Sequence, residues 1–305
     1  MSARRIVAPA PLAPGARIAV VAPGSSVRPE AVRAGFEALR SWGLEPVAGR
    51  SLFARRGDLA GPDEARAADL AWAFSDPAID AVWCARGGWG TARLLPLLDL
   101  GRIAASRRWL LGFSDVTALQ AALLDRGLAS WSTPLVAELA DPRRAVKADL
   151  KAALFDSARP RVFRPGARRA LAPGKAEGTL AGGCLSVLVA LAGTPWAPKL
   201  RGRIVVLEDV GEAPYRIDRL LWQGRAAGLF DGVAGLAFGQ FVSCRPYPGR
   251  PSRPLAAVLA AHAREIGVPT IAGLPVGHGP RPRALPLGYK ARLDADAGLL
   301  EVVAP

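Results

Sequence analysis

The 305-residue chain is poor in several things, and each shortage narrows its chemistry. Its three cysteines, Cys84, Cys184 and Cys244, are isolated and odd in number, which argues against a disulfide framework or a cysteine metal knuckle and makes them core residues. It has only two histidines, His262 and His278, so imidazole chemistry has two possible owners. No uncharged apolar run approaches the ~20 residues that span a bilayer, and residues 1–14 lack the continuous apolar core of a secretory signal. A soluble, cytoplasmic protein without a membrane partner is the expectation. The G-x-G-x-x-G and P-loop spacings are missing too, so nucleotide binding is not expected.

Charge is plentiful but spread out. The formal net charge is +14, yet the arginines alternate with Ala, Leu and Pro, no block of like charge occurs and aromatics are few. No nucleic-acid motif accompanies them, so no nucleic-acid partner is expected. The positive field can still attract an anionic substrate.

What the chain does have is alternation. Short apolar runs read as buried strands at Arg17–Val21 (RIAVV), 80–84 (DAVWC), 109–111 (WLL) and 203–207 (RIVVL), with helical patterns at 29–42, 61–74, 216–227 and 254–266 between them. This is the signature of an α/β protein with parallel sheets. Asp63 is a candidate N-cap for the second helix. The basic, Pro-containing stretch 159–169 (RPRVFRPGARR) suggests a break, giving an N-terminal domain over 1–150, a linker over 151–175 and a C-terminal domain over 176–305.

Around Ser114 the chain reads R-W-L-L-G-F-S-D-V-T-A-L, a buried strand broken at Gly112 and followed by a helix. A serine on such a turn is lifted clear of the sheet and lies beside the unpaired first amides of a helix, which suits a nucleophile with an oxyanion site. The pattern lacks the second glycine of G-x-S-x-G. Ser114 or Asp115 acting only as a helix N-cap explains the same residues. A second turn, Ala85-Arg86-Gly87-Gly88-Trp89-Gly90, follows another parallel strand and opens at the same sheet edge. It is either a tight connection or a source of amide donors facing Ser114.

An acid and a base appear in the second half. Glu208 and Asp209 stand at the end of a buried strand, positioned rather than merely solvated, although capping of the next helix would also account for one of them. His262 falls within an ordinary amphipathic helix, whereas His278 sits between two glycines at a strand end, which makes it the better general base. The order Ser, Glu, His permits a triad of Ser114, Glu208 and His278.

These residues carry a family resemblance. The segments VAPGSS (21–26), WCARGGWGTARLL (83–95), LLGFSDVTAL (110–119), GGCLSVL (182–188), VVLEDVGEAPYRIDRLL (205–221), LPVGHG (274–279) and LPLG (285–288) resemble the LD-carboxypeptidases of serine peptidase family S66. That family includes murein tetrapeptide carboxypeptidase and the microcin C7 self-immunity proteins. The resemblance implies an N-terminal three-layer α/β domain like that of class I glutamine amidotransferases, a smaller C-terminal α/β domain and a homodimer. It implies a Ser114–His278–Glu208 triad, with Glu212 competing for the acid, and an oxyanion hole made of the Asp115 and Gly88 amides. Arg86, Trp89 and Arg216 are candidates for substrate binding, and neither metal nor cofactor is called for. The implied reaction removes terminal D-alanine from an L-centre, meso-diaminopimelate or L-lysine, of a murein tetrapeptide during peptidoglycan recycling. An amidase of aminoacyl-nucleotide toxins and a catalytically silent muropeptide binder are the alternatives. Ser132-Thr133-Pro134 where a His-Gly-Pro-like segment is expected, Cys184 in place of asparagine, and Pro282 in place of asparagine depart from the family pattern.

Overall fold

The computed structural model describes residues 5–141, 143, 146–166, 170–249 and 251–303. They fold as a mixed α/β protein of two compact units. One unit holds the described residues of 5–159 together with 280–288; the other holds those of 160–279 and 289–303.

The first unit is built on a six-stranded sheet in the order Leu285–Leu287, Ser130–Ser132, Trp109–Gly112, Ala81–Cys84, Arg17–Val21, Glu45–Ala48. All neighbours are parallel except the first pair. Ala81–Cys84 and Trp109–Gly112 are buried along their whole length, which is why they read as continuous apolar runs rather than as alternations. Parallel pairing has a positional consequence. The strands ending at Val21, Cys84 and Gly112 are adjacent, so the loops that follow them emerge side by side at one edge.

Helix Pro29–Ser41 begins with proline at its first turn and buries Val32, Gly35 and Leu39, an i, i+3, i+7 stripe. Gly35 is there for space, because a Cβ on it would run into the carbonyl of Val136. Helix Asp63–Ser75 starts one residue after its cap, Pro62; Asp63, expected as the N-cap, instead pairs with Arg66 and Arg93.

The second unit has an eight-stranded sheet. Its centre is four parallel strands, Lys175–Cys184, Arg203–Val210, Gly235–Val242 and Thr270–Gly277, and antiparallel strands flank them. Two expectations need correction here. The interval 151–175 is not a linker: it contains the end of helix Lys147–Phe155 and the strands Arg161–Phe163 and Ala170–Ala172, the two outermost strands of this sheet. Edge strands tolerate proline and charge, so their composition mimics a linker; residues 167–169 of that stretch lie outside those described. Nor does the C-terminal domain keep 176–305 to itself, since Leu285–Leu287 pairs antiparallel with Ser130–Ser132 in the first sheet. Among the described residues no helix is long and apolar enough to cross a membrane.

The space at Gly35 can be tested. Gly35→Ala should cost about 1–3 kcal/mol through overpacking against Val136, despite the better helix propensity of alanine. Thermal unfolding followed by circular dichroism would reveal it, and an unchanged or raised Tm would contradict this packing.

Candidate active site

The turn at Ser114 is set by backbone geometry. Gly112 ends its strand at φ 146°, Phe113 is extended, and Ser114 takes φ 64° before the 3-10 turn Ser114–Val116 leads into helix Thr117–Leu124. A left-handed φ on a residue with a side chain costs roughly 1–2 kcal/mol, and such strain concentrates at functional sites. Neither Ser114 nor Asp115 is a helix N-cap, since Phe113 and Val116 hold those positions and make no side-chain cap bond. The Asp115 carboxylate points elsewhere, accepting from the Thr91 amide at 2.9 Å and the Thr91 hydroxyl at 2.6 Å.

The glycine loop packs directly on this turn. A Cβ on Gly87 would lie 2.9 Å from Ser114 Cβ and 3.1 Å from its Oγ, so only glycine lets the loop approach so closely. Gly88 and Gly90 have φ 91° and 116°. The loop after the first strand completes the arrangement: the Ser25 amide donates to the Gly87 carbonyl at 3.1 Å, and the Trp89 amide donates to Ser25 Oγ at 3.3 Å. Asp115 is buried, which pushes its carboxyl above the ordinary range, while the two bonds from Thr91 and the charge of Arg66 pull the other way.

In the second unit, Glu208 and His278 meet. Nδ1 of His278 donates to Glu208 Oε2 at 2.7 Å, and the His278 amide donates to the same oxygen at 3.1 Å. The Glu208 side chain is 5% exposed and that of His278 15%. The partner being a carboxylate, the Nδ1 proton is fixed, and the ring presents Nε2 as its basic nitrogen. Glycines again make the room. A Cβ at Gly277, φ 99°, would collide with the Glu208 carboxylate, and one at Gly239 would lie 3.1 Å from Glu208 Cβ. Glu212 instead reaches Arg216 at 3.5 Å. His262 is occupied structurally: buried between two helices, it meets Asp218 at 2.8 Å.

Behind Glu208 lies a second acid. Buried Asp209 accepts from the amides of Ser186 and Val210, both at 2.8 Å, and faces Cys184 Sγ at 3.5 Å. Burial raises its carboxyl, and the neighbouring Glu208 adds to the rise. Cys184 is in register with Glu208 on the adjacent strand, and burial raises its thiol well above the ordinary range. This is the opposite of a reactive cysteine.

Of the remaining sequence candidates, Arg86 is exposed and its guanidinium donates to the Ser26 carbonyl. Trp89 is 48% exposed, with its indole N–H on Asp58 and the Arg93 guanidinium 5.9 Å from the ring centroid. Arg216 also donates from Nε to the Tyr215 hydroxyl at 3.2 Å. Ser132 pairs with Gly112 and Leu285 in the first sheet, and Pro282 falls in the segment 280–288 that returns to the first unit.

Sequence reasoning missed three residues. Gly87 was one of three glycines in the loop, and only its proximity to Ser114 singles it out. Gln240, whose side-chain amide lies against Gly279 beside His278, gave no signal within its strand. Arg66 did leave a trace: it shares the i, i+4, i+7 stripe with Leu70 and Ala73, all buried. An arginine on the apolar face of a helix is a buried charge in need of partners.

Known proteins resemble this chain along nearly its whole length. Residues 18–133 match the model of the LD-carboxypeptidase N-terminal domain, and residues 177–293 that of the C-terminal domain. A Streptomyces coelicolor relative that carries a carboxypeptidase name is 44% identical over 99% of this chain and 98% of its own. The murein tetrapeptide carboxypeptidase of Pseudomonas aeruginosa is 36% identical, covering 92% of this chain and 94% of its own. The crystal structure of muramoyltetrapeptide carboxypeptidase from Oxalobacter formigenes superposes with a TM-score of 0.85 at 29% identity, over 94% of this chain and 98% of that one. With both domain models matched in order and full-length similarity of this strength, the chain belongs to the LD-carboxypeptidase family of serine peptidases, S66.

Proposed function

We propose that this protein is a serine LD-carboxypeptidase acting on murein tetrapeptides, hydrolysing the amide between an L-centre diamino acid and the terminal D-alanine. The observation that carries the reading is the 2.7 Å bond from His278 Nδ1 to Glu208, considered with a serine held in a left-handed turn beside a glycine loop. Each member of the proposed triad then has a physical task. His278 Nε2 takes the Ser114 hydroxyl proton as Oγ attacks the scissile carbonyl carbon, and Glu208 stabilises the imidazolium that forms. The Asp115 and Gly88 amides receive the developing oxyanion.

The imidazolium returns its proton to the leaving D-alanine nitrogen as the C–N bond breaks, leaving an acyl-enzyme. Water, deprotonated by His278, hydrolyses that ester. Arg86, Trp89 and Arg216 are the proposed substrate contacts, with the two guanidinium groups suited to the peptide's carboxylates. A cytoplasmic role in peptidoglycan recycling, a homodimer and an amidotransferase-like three-layer architecture in the first unit belong to the same reading.

The decisive assay is release of D-alanine from L-Ala-γ-D-Glu-meso-diaminopimelate-D-Ala. Ser114→Ala and His278→Ala should each lose at least about 10³-fold in kcat, and Glu208→Gln a similar factor because the imidazolium loses its counter-charge. A parent that releases nothing would sink the substrate assignment. A toxin-directed amidase would instead process an aminoacyl nucleotide, and a silent binder would ignore a serine-directed phosphonate.

Two further outcomes follow from the turn. Gly87→Ala should displace Ser114 and lower kcat by about 10²-fold, the cost of misplacing a reacting group by ~1 Å; Ser114 kinetics at saturating substrate would show it. Ser114→Gly should be more stable than Ser114→Ala by about 1 kcal/mol, because glycine adopts φ 64° without strain. Equal midpoints in urea for the two variants would mean the turn is unstrained.

A further inference from the structure

We propose that Arg66 and Asp115 are a pair of positioning residues: a buried brace of opposite charges that fixes the glycine loop so that its amides stay aimed at the carbonyl attacked by Ser114. The inference rests on the hydrolase reading above and assigns this work to the two side chains. The backbone amide of Asp115 remains a separate candidate, as an oxyanion donor.

The brace is visible at Gly90. Arg66 Nη1 donates to its carbonyl at 3.2 Å, while the amide of the following residue, Thr91, donates to Asp115 Oδ2 at 2.9 Å. The peptide unit joining Gly90 to Thr91 is thus held at its acceptor side by the cation and at its donor side by the anion. Thr91 is held a second time, through its hydroxyl on the same Asp115 oxygen at 2.6 Å. Arg66 also donates to the carbonyls of Pro23 and, at 3.3 Å, Gly61. A single guanidinium therefore ties the loop after the first strand, the start of helix Asp63–Ser75 and the glycine loop to one point.

Two physical considerations make this more than incidental packing. The Arg66 side chain is fully buried, and a buried cation is costly unless it is paired and its donors satisfied. Asp63 beside it and Asp115 nearby supply the countercharge. The segment being held is also the one least able to hold itself, since Gly87, Gly88 and Gly90 bring no side chains and Gly88 and Gly90 lie in left-handed φ. Apolar packing can fix where a loop lies, but directed hydrogen bonds fix which way its N–H groups point. The attachment of Asp115 to the nucleophile turn makes the coupling direct, because Ser114 and the anchor of the opposing loop are consecutive residues.

The test uses the full-length protein. Asp115→Asn keeps the backbone amide and the shape but turns an NH₂ toward donors; Arg66→Lys keeps the charge but cannot reach three carbonyls; Thr91→Val removes one hydroxyl bond. Folding is checked by Tm, and Thr91→Val stands in if the first two fail to fold. Each is measured for kcat and KM on the tetrapeptide and for the rate at which a serine-directed phosphonate labels Ser114. The expected result is a fall in kcat of about 10²-fold for Asp115→Asn and Arg66→Lys and about 10-fold for Thr91→Val, with KM within threefold and labelling slowed in parallel. Folded variants whose labelling rate and kcat both stay within threefold of the parent would overturn the brace. So would a loss confined to KM, or to Tm. A parent that is labelled but does not cleave the tetrapeptide defeats the substrate reading alone, and the labelling rates then decide the brace. A parent that is not labelled at Ser114 defeats both.

Discussion

Ser114 occupies a backbone conformation that a side chain keeps only when its surroundings allow nothing else. Most of the first unit can be understood as meeting that requirement. The strand before it is buried from end to end, the helix after it is buried at all eight positions, and Gly112 gives the chain its change of direction. Loops from two neighbouring strands close in on the turn, one of them through a glycine with no room for a methyl group. The serine is therefore over-determined from the sheet, from the helix and from the loops, which is the condition for storing strain in a native state.

The second unit meets a simpler requirement, that of holding one imidazole in one orientation. Glu208 accepts from both the ring and the amide of His278, so rotation of the ring and displacement of its backbone are resisted by the same oxygen. Gly277 clears the volume that this carboxylate needs, and Gly239 makes room for the Cβ of the same side chain. Asp209, one residue further on, anchors the start of the neighbouring helix through the Ser186 amide. Two acids adjacent in sequence thus bond to different partners, which alternation along a strand makes possible.

How much of this could be read in the sequence depends on the range of the interaction. The parallel strands, the turn at Ser114 and the glycine-flanked histidine were legible because each is a local pattern: an apolar run, a breaker, a helix start. The distinction between Glu208 and Glu212 was only half legible. Both are acids downstream of the apolar run 203–207, and the bond from His278, 70 residues away in sequence, is what marks out Glu208. The edge strands within 151–175 were hidden by their own composition, since positions with one unpaired side accept the arginine and proline that elsewhere mark linkers. Arg66 was hidden for another reason. Its helix has the expected apolar stripe, and what the arginine does there depends on carbonyls 24 and 43 residues distant.

Among the described residues the chain crosses between its two units three times, after residues 159, 279 and 288, because a nine-residue excursion supplies the last strand of the first sheet. This has a consequence for biosynthesis. Leu285–Leu287 is made long after Ser130–Ser132 has left the ribosome, so that strand's outer edge stays uncovered while more than 150 further residues are translated. The nascent first unit is a sheet awaiting its final strand, and the short three-residue edge it exposes is itself a modest protection against pairing with the wrong chain. For the same reason no single cut in the chain separates the units intact. A fragment ending at the first crossing would carry the serine turn and lack the strand that closes its sheet.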